Sequence, residues 1–140
     1  MLEEEKAERN LQLVLEQNKF YFDSSFRLKS KTDFDYLKIE STRISSAFFI
    51  AYIKKSRLPE DKTRIGLAVS KKLGKAPQRN KIKRFSREAF RTSNFKNLGL
   101  DILIVAKSSK KSEFDSMSFQ DFSGQFAYLF SKIVVKNSNF

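Results

Sequence analysis

The sequence contains no cysteine and no histidine among its 140 residues. Without cysteine there is no disulfide framework and no thiolate metal site. The two absences together exclude Ser-His-Asp and Cys-His nucleophilic systems, histidine acid–base catalysis and ordinary zinc sites. No paired acidic motif suggests a carboxylate metal site in their place. The composition therefore argues against an enzyme that works alone.

Long apolar runs are also missing. No stretch approaches the roughly 20 residues that a membrane-spanning helix needs. Residues 1–10 are acidic and polar, unlike a secretory signal. These features predict a cytoplasmic protein with no membrane partner.

Positive charge, in contrast, is abundant and unevenly placed. Lys and Arg number 28 against 16 Asp and Glu, and the formal net charge is +12. Residues 1–23 hold six acids and three bases, whereas residues 62–91 hold eleven bases and one acid. A basic segment this concentrated is typical of a protein that binds a polyanion. The alternative is a basic surface that serves only solubility.

Hydrophobic periodicity and turn residues predict an α+β sandwich around a small sheet. The order is helix, strand, strand, helix, strand, helix, and the strand–helix–strand unit over 63–107 predicts a parallel pair. The aromatic stripe of the last helix favours core packing over base stacking. The predicted elements are a short helix over 33–39 capped by Thr32, strands over 46–54, 63–70 and 100–107, a basic helix over 79–91 and a final helix over 116–136.

An acidic N-terminal extension over 1–22 precedes the predicted domain, which spans 23–136. Leu11, Val14 and Leu15 share one side of a possible helix over residues 2–17. A solvated extension without a helix is the equally weighted alternative.

Two predicted strands offer different faces. The strand over 46–54 is apolar on both faces, with Phe49 on one and Phe48 and Tyr52 on the other. These aromatics either stack on unpaired bases or belong to the core. The strand over 63–70 has a face of small residues, so a helix or a ligand can approach its backbone. That face carries Arg64, Gly66, Ala68 and Ser70.

The helix over 79–91 separates its basic and apolar residues. The cationic side chains fall within an arc of roughly 140°, opposite Ile82, Phe85 and Ala89. Guanidinium groups bind phosphate oxygens in pairs, and free N–H groups at a helix start also favour phosphate. This pattern predicts an RNA-binding surface, with a solvated basic face and a DNA major-groove helix as alternatives. The arc holds Arg79, Lys83, Arg84, Arg87 and Arg91, Asn80 lies near the helix start, and Lys71, Lys72 and Lys75 extend the charge along the preceding loop.

Residues 64–91 read RIGLAVSKKLGKAPQRNKIKRFSREAFR. They resemble the signature of the bacterial ribonuclease P protein component, R-hydrophobic-G-x-x-V-S-K-K-x-G-x-A-x-x-R-N-R/K-I-K-R-x-x-R-x-x-F. Weaker agreement extends to Arg27-Leu28, to Asp33-Phe34 and to the strand over 100–107. The resemblance covers about residues 25–135.

This resemblance implies a two-layer α/β sandwich with a small mixed sheet in the order αβββαβα. That is one strand more than periodicity predicts, placed near the start of the domain or within 46–70. It also implies a strand–helix–strand crossover of the unusual left hand.

The resemblance further implies a subunit of ribonuclease P, in which a catalytic RNA removes the 5′ leader of precursor tRNA. Such a protein contributes no catalytic side chain. Its partners are ribonuclease P RNA, in a 1:1 complex with one protein monomer, and precursor tRNA. Magnesium serves the holoenzyme and is held mainly by RNA. A general or ribosome-associated RNA-binding protein is the second interpretation, and an enzyme acting without RNA is the third.

Site residues follow from the same resemblance. Arg79, Asn80, Lys81, Lys83, Arg84 and Arg87 match the helix that lies against the RNA. The single-stranded leader is expected in a cleft formed by the sheet and the first helix. Lys81 stands where the family usually has Arg, and Lys38 stands where a second cleft aromatic is expected. The leader-cleft residues are Phe34, Phe49, Tyr52, Arg64 and Ala68.

Overall fold

The computed structural model describes residues 24–28, 30–58 and 61–137. The predicted helix over 2–17, with Leu11, Val14 and Leu15, lies outside the described residues. The elements are α1 (Lys31–Lys38), β1 (Thr42–Ser45), β2 (Phe49–Lys55), β3 (Arg64–Ala68), α2 (Ala76–Arg91), β4 (Leu100–Ala106), α3 (Lys111–Ser116) and α4 (Phe119–Asn137). Short 3-10 turns occupy Ser24–Phe26, Lys71–Leu73 and Ser108–Lys110.

The four strands form one mixed sheet in the order β1-β2-β4-β3. β2 is antiparallel to β1 and to β4, whereas β3 and β4 are parallel. This confirms the α+β fold and the parallel pair predicted from the unit over 63–107. The extra strand implied by the resemblance is β1, near the start of the domain. The left hand of the crossover stays a prediction.

One face of the sheet carries the core. Its alternate residues, among them Phe49, Ala51 and Ile53 on β2, are nearly unexposed and pack under α2 and α4. Phe122, Phe126 and Phe130 of α4 are each at most 1% exposed, so the aromatic stripe of this helix is core, as predicted. Phe122 and Phe126 contact the Phe49 ring edge-on, and along the helix Phe126 stacks on Phe122 and tilts against Phe130, with centroid distances of 5.1–6.1 Å.

Several element boundaries differ from the predicted ones. α1 is capped by Ser30 instead of Thr32, because the Ser30 hydroxyl accepts the Asp33 N–H while the Asp33 carboxylate accepts the Ser30 N–H. α2 begins at Ala76, three residues before the predicted start, with Pro77 in its first turn. α4 begins at Phe119, three residues after the predicted start at 116, since Met117 is extended and the Ser118 hydroxyl caps the helix. α3 was not predicted.

β2 begins at Phe49, so residues 46–48 are not part of the strand. The Ser46 N–H donates to the Phe49 carbonyl at 2.8 Å and closes a tight turn after β1. None of the helices in the described ranges is both long and apolar enough to cross a membrane.

Candidate nucleic-acid interface

The second face of the sheet is half covered by α1. Phe34 projects from α1 onto Gly66 of β3, where an added Cβ would lie 2.8 Å from the Phe34 ring atom Cε1. The small face of β3 predicted from the sequence is therefore approached by a helix. α1 is also fastened to β2, because the Tyr36 hydroxyl donates to the Lys55 carbonyl and Lys54 Nζ donates to the Tyr36 carbonyl.

Beyond α1 the same face opens into a groove of about 680 Å³. Its floor is apolar, with Ile50 of β2, Val105 of β4 and Ala68 of β3 side by side. Its rim is polar and cationic. The rim consists of Ser70, Lys72, Lys107, Ser108 and Ser109.

Ala68 thus lies in the groove and Lys72 lies on its rim; their contact with RNA stays a prediction. Lys107 was not among the predicted site residues. Only the position of β4 beside β3 brings this residue to the groove, and no local motif around it could have indicated that. Tyr52 is half-buried on the groove face, paired with Leu103 across the strands, but it is not part of the groove lining.

The prediction that Phe49 lines the cleft is wrong. Phe49 is 1% exposed and lies on the core face, where its ring contacts Phe114, Phe122 and Phe126. Alternation along β2 places Phe49 and Tyr52 on opposite faces of the sheet. Both faces of the strand are apolar, so composition could not tell which of them is covered by helices.

Arg64 lies on the groove face of β3, but its guanidinium is engaged within the protein. Nε and Nη2 donate to the two carboxylate oxygens of Asp101 at 3.0 and 2.9 Å, and Nη2 also donates to Asp33 at 3.2 Å. The hydrogen bond with Asp101 is the largest cause of a raised pKa at Arg64. Burial opposes that rise, and the charges of both carboxylates add to it.

The RNA-binding residues predicted on α2 differ in their exposure. Asn80 and Arg84 are exposed, and Arg79, which donates from Nε to the Gly74 carbonyl at 3.1 Å, is half-buried. Lys83 and Arg87 are half-buried and line a pocket of about 160 Å³. We call this set the basic face; it consists of Arg79, Asn80, Lys83, Arg84 and Arg87.

The pocket beside the basic face is the place where the predicted helix and cleft meet. Lys83 and Arg87 approach Phe34 of α1 and Gly66 of β3 there, together with Arg27 from the segment before α1. Phe34, predicted for the cleft, therefore shares one pocket with Lys83 and Arg87, which were predicted to contact RNA.

Lys81 and Arg91 have partners within the protein. Lys81 Nζ donates to the carbonyls of Phe114 and Asp115, both at 3.1 Å, at the end of α3. Arg91 Nε donates to the Glu88 carboxylate at 3.1 Å. Lys71, Lys72 and Lys75 are exposed around the turn before α2, whose buried anchor is Leu73.

A family model described as Ribonuclease P matches residues 22–134. The chain belongs to the ribonuclease P protein family. The ribonuclease P protein component of Thermotoga petrophila is 35% identical over 94 residues, which are 66% of this chain and 79% of that protein. The Legionella pneumophila component is 39% identical over 89 residues, 63% of this chain and 75% of that protein. The solved RNase P protein from Thermotoga maritima matches with a TM-score of 0.66 and 30% identity, covering 74% of this chain and 93% of that one.

Membership of the ribonuclease P protein family accounts for the signature over residues 64–91. This segment contains β3, which supplies part of the groove floor, the 3-10 turn with Lys72 on the rim, and α2 with the basic face. A single stretch of sequence thus supplies most of the candidate interface.

Proposed function

We propose that this chain is the protein subunit of a ribonuclease P ribonucleoprotein, binding the catalytic RNA and the 5′ leader of precursor tRNA. The observation that carries the proposal is the position of Phe34. Its ring lies over Gly66, two residues before the groove residue Ala68 on the same face of β3, and it lines a pocket with Lys83 and Arg87. Family membership supplies the tRNA-processing holoenzyme as the setting. The groove and the basic face supply surfaces for two different RNA segments.

The groove suits a single strand better than a duplex. Its floor of Ile50, Ala68 and Val105 offers apolar contact to unpaired bases. The aromatic ring of Phe34 lies over Gly66, two residues before Ala68 on the same face of β3. Lys72 and Lys107 on the rim can neutralise phosphates of the same strand. We therefore assign the groove to the leader.

The basic face suits a folded RNA. Arg79, Lys83 and Arg87 follow one another at four-residue spacing along the helix. Like charges at this spacing repel one another by a few tenths of a kcal/mol per pair. A phosphate backbone relieves that repulsion. Lys71, Lys72 and Lys75 continue the positive field beyond the helix start. We therefore assign this surface to ribonuclease P RNA.

In this proposal the protein contributes binding and no catalytic side chain. The carboxylates that face the groove side, Asp33 and Asp101, are both paired with Arg64. Among the described residues, no group of three or more Asp or Glu side chains could hold a metal ion. In the proposed holoenzyme the magnesium is held mainly by the RNA. A 1:1 complex with the RNA and a cytoplasmic location belong to the same proposal.

The test is reconstitution with ribonuclease P RNA from the same organism at low magnesium. Adding the purified protein should increase the rate of leader removal from precursor tRNA, and RNA-free protein should cleave nothing. The control is the protein with Arg79, Lys83 and Arg87 changed to Ala. No gain from the unaltered protein would contradict the proposal, and equal binding to unrelated structured RNAs would instead favour a general RNA-binding protein.

A further inference from the structure

One guanidinium joins two carboxylates that come from different layers of the protein. Arg64 of β3 contacts Asp101 of β4 and Asp33 in the first turn of α1, with Nη2 at 2.9 and 3.2 Å from them. The side chains of Arg64 and Asp33 are 11% and 13% exposed, and that of Asp101 is not exposed at all. The cluster is therefore largely withdrawn from solvent, where charge pairing is weakly screened.

Asp33 also determines where the first turn of α1 lies. Its carboxylate accepts the Ser30 N–H and completes the helix cap, so the residue is fixed at both ends. Phe34 is its chain neighbour, and Gly66 beneath Phe34 is two residues from Arg64 on the same face of β3. The ion cluster consequently fixes the separation of α1 and β3 over Gly66, two residues before the groove residue Ala68.

Charge argues against Arg64 as a direct phosphate ligand. One guanidinium between two carboxylates carries a net charge of −1. Arg57, whose Nη2 lies 3.3 Å from Asp33, brings the charge of these four side chains to zero. Three N–H donations from Arg64 are already made to the carboxylates. These four side chains together thus carry no net positive charge toward a phosphate.

We propose that Asp33 and Asp101 are positioning residues that, through Arg64, hold α1 against β3 and thereby set the affinity of the groove for the leader. This inference rests on the proposed function of the groove. It predicts that loosening the cluster weakens leader binding without affecting contacts made by the basic face.

The Asp33→Asn variant decides between positioning and direct contact by the sign of its effect. If Arg64 positions α1, the variant should lower leader-dependent affinity by roughly five- to tenfold, because a displaced contact surface binds less well. If Arg64 instead binds leader phosphates, releasing it from Asp33 should strengthen leader binding. The measured quantity is the ratio of the Kd values of the holoenzyme for mature tRNA and for precursor tRNA with a single-stranded leader.

Asp35→Asn is the matched control. Asp35 lies on the same helix as Asp33, and its change to Asn removes the same negative charge. Its ion pairs with Lys31 and Lys38 are exposed and do not reach the sheet. It should leave the ratio unchanged. Asp33→Glu keeps the carboxylate and the cap, so it should retain most of the leader affinity. The kcat at saturating precursor and the affinity for ribonuclease P RNA should not change in any of these variants.

Circular dichroism at the assay temperature establishes which variants are folded. If Asp33→Asn is not folded, Arg64→Lys is tested in its place. This variant keeps one cation between the carboxylates but loses the bidentate guanidinium, so it should also lower the ratio of the two Kd values. A folded Asp33→Asn variant with a ratio equal to that of Asp35→Asn, or higher, would overturn the inference. Failure of the unaltered protein to raise leader-dependent affinity would instead overturn the proposed function.

Discussion

Gly66 lies beneath the ring of Phe34, and the missing side chain is what lets α1 approach the sheet. An added Cβ would be 2.8 Å from Cε1 and 3.2 Å from Cζ of that ring, and 3.4 Å from Cβ of Leu28. The ring must therefore move outward if position 66 carries any side chain.

We expect Gly66→Ala to lower the free energy of unfolding by about 1–2 kcal/mol through overpacking. It should also weaken leader-dependent affinity, because Phe34 is displaced. Urea unfolding and precursor tRNA binding measure the two effects. Gly124→Ala on α4 is the control, since a Cβ at that site has no neighbour within 4 Å. Gain of a helix-favouring residue there should stabilise the protein by up to about 1 kcal/mol. Equal responses of the two variants would contradict the packing argument.

Lys96 is a residue whose charge is costly in the folded protein. It is 7% exposed, and its Nζ donates to the Arg91 carbonyl at the end of α2 at 2.9 Å. Burial, and then the charge of Arg91, lower the pKa of Lys96 from 10.5 to about 8. Between these two values the unfolded chain holds a proton that the folded protein has lost, so stability from this group rises with pH across that range.

Lys96→Met should remove this rise. From about pH 8 to 10.5, the unaltered protein should gain up to about 3 kcal/mol relative to the variant. Urea unfolding of both proteins at several pH values provides the difference and cancels the titration of other groups. Parallel curves over the whole range would show that Lys96 titrates at its ordinary pKa.

At the scale of the element, α2 combines a buried side with a basic one. Ile82, Ala89 and Phe90 are at most 5% exposed and face the core. The basic face is therefore held by a helix whose opposite side is fully packed. Changing its cations should affect RNA binding much more than folding.

The variant with Arg79, Lys83 and Arg87 changed to Ala should bind ribonuclease P RNA with a flatter salt dependence. Each lost phosphate contact lowers the slope of log K against log salt by roughly 0.7–0.9, so a decrease of about 2 is expected. The control changes Lys38, Lys111 and Lys136 to Ala; these residues are exposed and removed from α2. A slope that falls equally in both variants would assign the effect to net charge.

Lys81 differs from the residues of the basic face because its side chain is bound to α3. The ammonium group of Lys81 satisfies two carbonyls at the end of this helix, which otherwise have few partners. We expect Lys81→Met to lower the free energy of unfolding by about 1–2 kcal/mol. The salt dependence of RNA binding should be unchanged. A flatter dependence of log K on log salt, with unaltered stability, would instead assign Lys81 to the RNA-binding residues.

At the scale of the whole molecule, much of the fold could be predicted from the chain alone. Periodicity identified α2, β4 and the parallel pair of β3 and β4, because each has a clear apolar face or run. β1 was missed, since Thr42–Ser45 is short and polar apart from Ile44. α3 was missed because Lys111–Ser116 is short and Phe114 is its one apolar residue.

The site was less predictable than the fold, for reasons that concern distance along the chain. Local spacing is sufficient to place Arg79, Lys83 and Arg87 on one side of a helix. The partners of Lys81 are 33 and 34 residues away, and the Asp101 partner of Arg64 is 37 residues away. Lys81 and Arg64 have no evident partner in the local sequence, but in the folded protein both donate hydrogen bonds to residues far along the chain. Conversely, Lys107 joins the groove only through the strand order.

The place of β4 in the sheet has a consequence for the order of events during synthesis. β2 and β3 do not pair with each other, because β4 lies between them. The ribosome delivers β2, β3 and the basic helix before it delivers Leu100–Ala106. The nascent chain therefore presents its cations while the sheet still lacks its central strand, and the groove comes into existence only when that late segment inserts. Under the proposed function, the basic face of α2 therefore becomes available to RNA before the groove proposed for the leader exists.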